Sequence, residues 1–217
     1  GELMSQVKGL CVMDVDGTLI LEEVIDLLGK EAGCEEEISQ ITSQAMRGEL
    51  DFETSLRARV ALLKGLPVSV FDTVFKSIHL SKNAQEFISI LQKKGILVGL
   101  VSGGFVPIVE RLAKSLGISY FSANQLEVKD GFLKGRLVGE IVTGQVKQDT
   151  LEKWKKELKL PKERTIAIGD GANDLLMLKS AGCGIAFCAK EVVKTEIACH
   201  VDTRDFLEVL PLIDFLE

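Results

Sequence analysis

This sequence has no surplus of basic residues. Its 26 lysines and arginines are outnumbered by 32 aspartates and glutamates, a formal charge of −6. That balance argues against nucleic acid, whose phosphate backbone needs a basic footprint. It leaves room for a small phosphorylated ligand, which one local cationic pocket can hold. No stretch reaches the roughly 18 uninterrupted apolar residues of a membrane span, so no membrane partner is expected. Gly1 to Lys8 has no signal-peptide organisation. There is no C-x-x-C, and the cysteines are five in number: Cys11, Cys34, Cys183, Cys188 and Cys199. An odd count at such spacings suggests neither a disulfide framework nor a zinc site. A reduced, cytoplasmic protein is the expectation. The P-loop pattern is absent. A dinucleotide fingerprint fails because Gly169-Asp170-Gly171 is followed by Asp174 where its third glycine belongs. Internal repeats and low-complexity segments are missing too. At 46% apolar and 27% charged residues, the chain can bury a core and stay soluble. Its length suggests one large domain, or one domain carrying a smaller one. Oligomeric state is not legible.

Four short apolar runs are present: Leu10–Met13, Ile96–Val101, Thr165–Ile168 and Gly184–Phe187. The first three stop at Asp, Ser and Gly. Between the runs lie helical patterns over Ala84–Lys94, Val106–Leu116 and Leu151–Leu158. Gly95 and Gly117 stand where left-handed C-cap residues belong. Strands alternating with helices imply a parallel sheet covered on both faces, with ligands at the carboxyl ends of the strands. The interval from Glu22 to Lys82 breaks this rhythm with three or four helical patterns and no convincing strand. Asp51 and Ser69 stand as N-caps before Phe52–Leu63 and Val70–Ile78. The interval reads as a helical insertion after the first strand. Asp130-Gly131 between Leu126–Lys129 and Phe132–Leu137 signals a hairpin. The expected architecture is an α/β doubly wound, Rossmann-like core, residues 1–21 and 83–217, with a helical cap over 22–82.

The chemistry-bearing residues cluster where the apolar runs end. In Asp14-Val15-Asp16-Gly17-Thr18, residues two apart share a face, so Asp14 and Asp16 can look into one crevice. One carboxylate can attack as a nucleophile while the other trades protons; a solvated acidic turn is the plainer alternative. The second acidic cluster is Gly169-Asp170-Gly171-Ala172-Asn173-Asp174. Bringing Asp14, Asp16, Asp170 and Asp174 to one sheet edge would be strongly repulsive, and Mg²⁺ with its preference for hard oxygen ligands would relieve that. Ser102-Gly103-Gly104 ends a strand before a helix, where free N–H groups favour a phosphate, although an ordinary turn would look the same. Lys147, just before a helix starting near Gln148, gains weight only because a phosphate site needs a cation. In the insertion, Phe52, Leu56, Arg59 and Leu63 fall on one helical stripe at about 100° per residue. Arg59 is its only charge. A structural ion pair or a snorkelling side chain could explain it, and so could a ligand carboxylate that matches the guanidinium fork. Arg57 lies off the stripe and reads as surface. His79 and His200 read as surface or capping residues, Trp154 as core packing, and Glu35-Glu36-Glu37 as a helix start favoured by the dipole.

The order Asp-x-Asp, Ser, Lys, Gly-Asp-x-x-x-Asp resembles the haloacid dehalogenase superfamily, in its phosphotransferase branch with a cap inserted after the first motif. The likeness spans nearly the whole chain. It includes Phe52-Glu53-Thr54-Ser55-Leu56-Arg57-Ala58-Arg59-Val60, Val101-Ser102-Gly103-Gly104-Phe105, Val128-Lys129-Asp130-Gly131 and Ile185-Ala186-Phe187-Cys188-Ala189-Lys190. The resemblance implies a Mg²⁺-dependent phosphomonoesterase that hydrolyses O-phospho-L-serine, a small phosphorylated amino acid, through an aspartyl phosphate. By the same resemblance Asp14 is the nucleophile and Asp16 the general acid and base. Mg²⁺ would bind the Asp14 and Asp170 carboxylates and the Asp16 carbonyl, with Asp174 behind them. Ser102, Gly103, Lys147 and Asn173 would hold the phosphoryl oxygens. Glu23 and Arg59 would read the substrate's ammonium and carboxylate, and Met46 and Phe52 would line the closed pocket. Two rivals stay open: a phosphatase or phosphotransferase of the superfamily acting on another small metabolite, and a non-enzymatic receiver-type phospho-acceptor domain.

Overall fold

A computed structural model describes residues 7–216; most of Gly1–Lys8, read above as lacking a leader, lies outside them. The four apolar runs are strands, and the first is the centre of the sheet. β1 (Gly9–Asp14) is buried along its whole length. β2 (Ile96–Phe105), β3 (Tyr120–Lys129), β4 (Phe132–Val138), β5 (Thr165–Gly169), β6 (Cys183–Phe187) and β7 (His200–Val201) complete one seven-stranded sheet in the order β4-β3-β2-β1-β5-β6-β7. Every pairing is parallel except the β3–β4 hairpin, whose turn holds Asp130 and Gly131 at positive φ. β1 pairs with β2 on one side and β5 on the other. The chain therefore reverses direction across the sheet at β1, and a crevice opens at its carboxyl end.

Alternation along β1 sorts its side chains between two cores. Cys11 and Met13 join one hydrophobic cluster, Leu10 and Val12 the other. The first is covered by α5 (Ala84–Lys93) and α6 (Val106–Ser115), through Phe87, Ile88, Leu91, Ile108, Val109 and Leu112. The second is covered by α7 (Gly144–Glu157) and α8 (Leu175–Ser180), through Leu151, Trp154 and Met177. A last short helix, α9 (Glu191–Lys194), follows β6. No helix among the described residues is long and apolar enough to cross a membrane.

Four helices stand between β1 and α5, and they form the cap. α1 (Val24–Ala32), α2 (Glu35–Met46), α3 (Phe52–Ala61) and α4 (Val70–Phe75) leave the core after Ile20 and return at Leu80, two residues that pair in an antiparallel bridge. The Asp51 carboxylate accepts from Thr54 N–H at 2.7 Å and caps α3, as expected. Ser69 does not cap: its backbone is already helical, its side chain makes no cap bond, and α4 ends at Phe75, short of Ile78. The cap also meets the hairpin. Gly65 N–H donates to Leu133 O, and Leu133 N–H donates to Leu66 O at 2.8 Å.

Other boundaries moved for local reasons. α7 begins seven residues before Leu151, because the Thr143 hydroxyl caps it by accepting from Val146 N–H. Lys147 thus lies in its first turn, not ahead of the helix. β2 continues through Ser102-Gly103-Gly104 to Phe105.

Candidate active site

The crevice at the carboxyl end of β1 is lined by Asp14, Asp16, Gly103, Gly104, Asp170, Gly171, Asn173 and Lys190 from the core. Glu23, Ile25, Phe52, Leu56, Arg59 and Phe105 close it. Asp14 is the last residue of β1, and Asp170 follows the last residue of β5, so neighbouring strands deliver both. Gly169 has to be glycine for this to happen: an added Cβ would lie 2.5 Å from Asp174 Cγ. That close approach lets Asp174 curl back, so that its Oδ2 accepts from Asp170 N–H at 3.0 Å and from Gly171 N–H at 3.1 Å.

Lys147 is fully buried, and its ammonium donates to Asp14 Oδ1 and Asp174 Oδ1, both at 2.8 Å. Burial alone would lower its pKa, but the two carboxylates overcome that and hold the ammonium charged. It does not reach the cavity surface; it sits under Asp14. Thr18 Oγ donates to Asp170 Oδ1 at 3.0 Å, and Lys190 Nζ donates to Asp170 Oδ2 at the same distance. Asp14, Asp170 and Asp174 offer carboxylate oxygens all within 4.8 Å of one another. The Asp14 carboxyl is pushed well up by burial and then by Asp174 and Asp170, against the pull of Lys147. Four carboxylates (14, 16, 170, 174) against two ammoniums (147, 190) leave a formal −2 at the strand ends. An all-oxygen donor set with that charge suits a hard divalent cation.

Asp16 differs from Asp14. Its Oδ2 accepts from Val24 N–H at 3.1 Å, while Oδ1 is buried with no hydrogen-bond partner. Burial pushes its pKa up to about 6, the Val24 N–H and Lys147 pulling the other way. A carboxyl poised there can give and take a proton near neutrality.

Gly103 is fixed by Asn124, whose side-chain amide donates to its carbonyl at 2.9 Å while the amide oxygen accepts from Val142 N–H. The Phe52 ring lies directly over it; an added Cβ on Gly103 would approach the ring to 3.2 Å. The cap therefore reaches over the crevice at this point. Ser102 is wholly buried and accepts from Gly104 N–H at 2.8 Å, so it folds back under the loop and does not line the cavity.

On the cap side, Glu23 and Arg59 both border the cavity, while Arg57 is half exposed and pairs with Glu53. Burial raises the Glu23 carboxyl, Asp16 and Asp170 adding to it. Met46 is the correction here. It ends α2 with 72% of its surface exposed and takes no part in the cavity. Of the twelve residues expected at the site, nine border this crevice or its carboxylate cluster, Lys147 and Ser102 lie directly beneath, and Met46 stands outside. Missed entirely were the roles of Lys190 and Thr18 on Asp170. Thr18 had a signal, being part of the first acidic motif.

A model of haloacid dehalogenase-like hydrolases matches residues 9–182. The chain belongs to the haloacid dehalogenase-like hydrolases. Within that superfamily, a phosphoserine phosphatase of Streptococcus thermophilus is 55% identical, covering 97% of this chain and 98% of its own. One from Methanocaldococcus jannaschii is 44% identical over 97% of this chain and all of its own. A solved phospho-aspartyl intermediate analogue of a phosphoserine phosphatase has a TM-score of 0.90 at 44% identity, over 95% of this chain and 99% of that one. A substrate-bound phosphoserine phosphatase complex matches with the same score and identity, covering 95% and 98%. The haloacid dehalogenase-like fold explains why Asp14 and Asp170, 156 residues apart in sequence, meet at adjacent strand ends.

Proposed function

We propose that this hydrolase cleaves O-phospho-L-serine to L-serine and phosphate through an aspartyl phosphate on Asp14. One observation carries the reading. The Asp14/Asp16 pair shares one cavity with a carboxylate and a guanidinium from the cap, a charge pair complementary to the ammonium and carboxylate of an amino acid. Residues 22–82 act as the cap that presents them. Lys147 holds Asp14 Oδ1, which leaves Oδ2 to attack phosphorus. Asp16 delivers its proton to the departing serine oxygen. It then takes a proton from the water that cleaves the acyl phosphate. Gly103, Gly104 and Asn173 border the place of the phosphoryl group. Mg²⁺, held by the Asp14 and Asp170 carboxylates and the Asp16 carbonyl, would supply positive charge to the phosphoryl oxygens. Asp174, occupied by Lys147 and two backbone N–H groups, positions that set from behind. Phe52 closes the lid and keeps bulk water from the first step. Five free cysteines suit a reducing cytoplasm.

Phosphate release across a panel of phosphomonoesters tests this. Phosphoserine is expected to exceed glycerol phosphate in kcat/KM by up to about 10⁴-fold, because glycerol phosphate leaves Glu23 and Arg59 unpaired. Asp14→Asn is expected to be silent on every substrate. Equal rates on the two esters would assign the enzyme to another small metabolite, and no release at all would favour a receiver-type domain.

A further inference from the structure

Arg59 is an unusual arginine for a half-buried position. No carboxylate is hydrogen-bonded to it among the described residues. Its Nε–H donates to Ser55 O at 3.3 Å, one turn back in α3, and its Nη1 donates to Thr42 Oγ at 3.4 Å across the cap on α2. Both acceptors are neutral. Asp26 and Glu23 act on it only through space. An arginine has five N–H donors in a rigid fork, so these two bonds leave three unspent and the positive charge without a hydrogen-bonded counter-charge.

Thr42 is built for that role. Its hydroxyl proton is committed to Ile38 O at 3.0 Å, one turn back in α2. The proton cannot then point at Arg59, and the oxygen lone pairs are turned outward to accept from it. The side chain is half-buried and does not border the cavity. It is also the only hydrogen bond between the guanidinium and a second cap helix among the described residues. A long arginine side chain loses considerable rotamer freedom when it is held in one place, and Thr42 holds it before the ligand arrives.

We propose that Thr42 is a positioning residue that sets substrate specificity by aiming Arg59 at the carboxylate of the substrate, a role that rests on the reading of Arg59 given above. It touches no substrate atom. Its effect falls on recognition of the carboxylate and spares phosphoryl transfer.

The test compares three esters: O-phosphoserine, O-phosphoethanolamine, which is the same molecule without its carboxylate, and p-nitrophenyl phosphate. The enzymes are wild type, Thr42→Val and Thr42→Ser, each first matched in thermal midpoint and Mg²⁺-saturated. Valine keeps the shape of threonine and removes the acceptor; serine restores it. Thr42→Val is expected to raise KM for phosphoserine roughly tenfold, the scale of one lost hydrogen bond to a charged group, with kcat changed less than about twofold. The other two esters should be unaffected, and Thr42→Ser should return KM to within about twofold of wild type. Full retention of the phosphoserine preference by Thr42→Val would overturn the proposal. So would an equal loss on all three esters, or a failure of serine to rescue. A wild-type enzyme that does not distinguish phosphoserine from phosphoethanolamine would instead remove the carboxylate role of Arg59, and Thr42 with it.

Discussion

The two halves of the active site are held in opposite ways. At the strand ends, Asp14, Asp170 and Asp174 are locked by short bonds to a buried lysine, a threonine, a second lysine and two backbone amides. In the cap, Arg59 rests on two long bonds to neutral oxygens. The core half carries charges that would repel one another without their partners, so it has to be over-determined. The cap half carries two opposite charges, Glu23 and Arg59, that have to remain available to a ligand. Chemistry is fixed where packing is tightest, and selection is placed where a side chain can still be aimed.

The sharpest way to break that contrast is Lys147→Met. It leaves Asp14 and Asp174 buried without their shared cation, and removing one partner of a buried pair costs about 3–5 kcal/mol. Urea denaturation without metal should show that loss, Mg²⁺ should recover part of it, and turnover should vanish. An unchanged midpoint would mean that the carboxylates do not depend on Lys147. A smaller effect is expected in the cap. Arg59→Ala should cost roughly 2–5 kcal/mol in kcat/KM for phosphoserine, much less for an aryl phosphate, and little in stability. Arg57→Ala should be silent in all three, since that side chain is half exposed and paired only with Glu53. Arginine variants that behaved alike would undo the assignment of Arg59.

The smallest effect lies where core and cap join. Asp205 accepts from Asn83 Nδ2 at 2.9 Å and from Leu207 N–H at 3.0 Å, which ties the returning linker to the C-terminal segment. These bonds hold its carboxyl below the ordinary 3.8. Its folded pKa is thus below its unfolded one, so its contribution is present above pH 3.8 and fades as pH falls through the lower, folded value. Thermal melts of Asp205→Asn should lie below wild type at pH 7 and converge with it in strong acid. A gap that persisted or widened there would show that the carboxylate's charge is not what holds the linker.

Much of the core was legible because its strands are short apolar runs that end on the residues that do chemistry. Asp14, Asp16 and Asp170 could be placed at strand ends from that pattern alone. What was not legible depends on long-range contacts. The first half of β3 pairs in parallel with β2 over Tyr120–Ser122, and those half-buried residues lack the apolar signature of β1. The first two turns of α7 are polar, so the apolar pattern begins only at Leu151 and hides the position of Lys147 within the helix. In the cap, the stripe Phe52, Leu56 and Arg59 was readable from helical spacing, and all three border the cavity. Met46 was not, because spacing within α2 says nothing about where that helix ends over the crevice. The pairing of Arg59 with Thr42 joins two helices, and no local pattern announces it.

The sheet order also dictates when each part can be completed during synthesis. β1, which bears Asp14, emerges first, yet both its neighbours come much later, one at Ile96–Val101 and the other at Thr165–Ile168. The cap seam waits as well, since Leu66 needs Leu133. The 82-residue step from Asp14 to Ile96 takes roughly 4–16 s to be translated at about 5–20 residues per second. For that interval a strand that is buried along its whole length in the fold is a growing chain without a partner, and its protection on the ribosome falls to whatever holds nascent polypeptides apart.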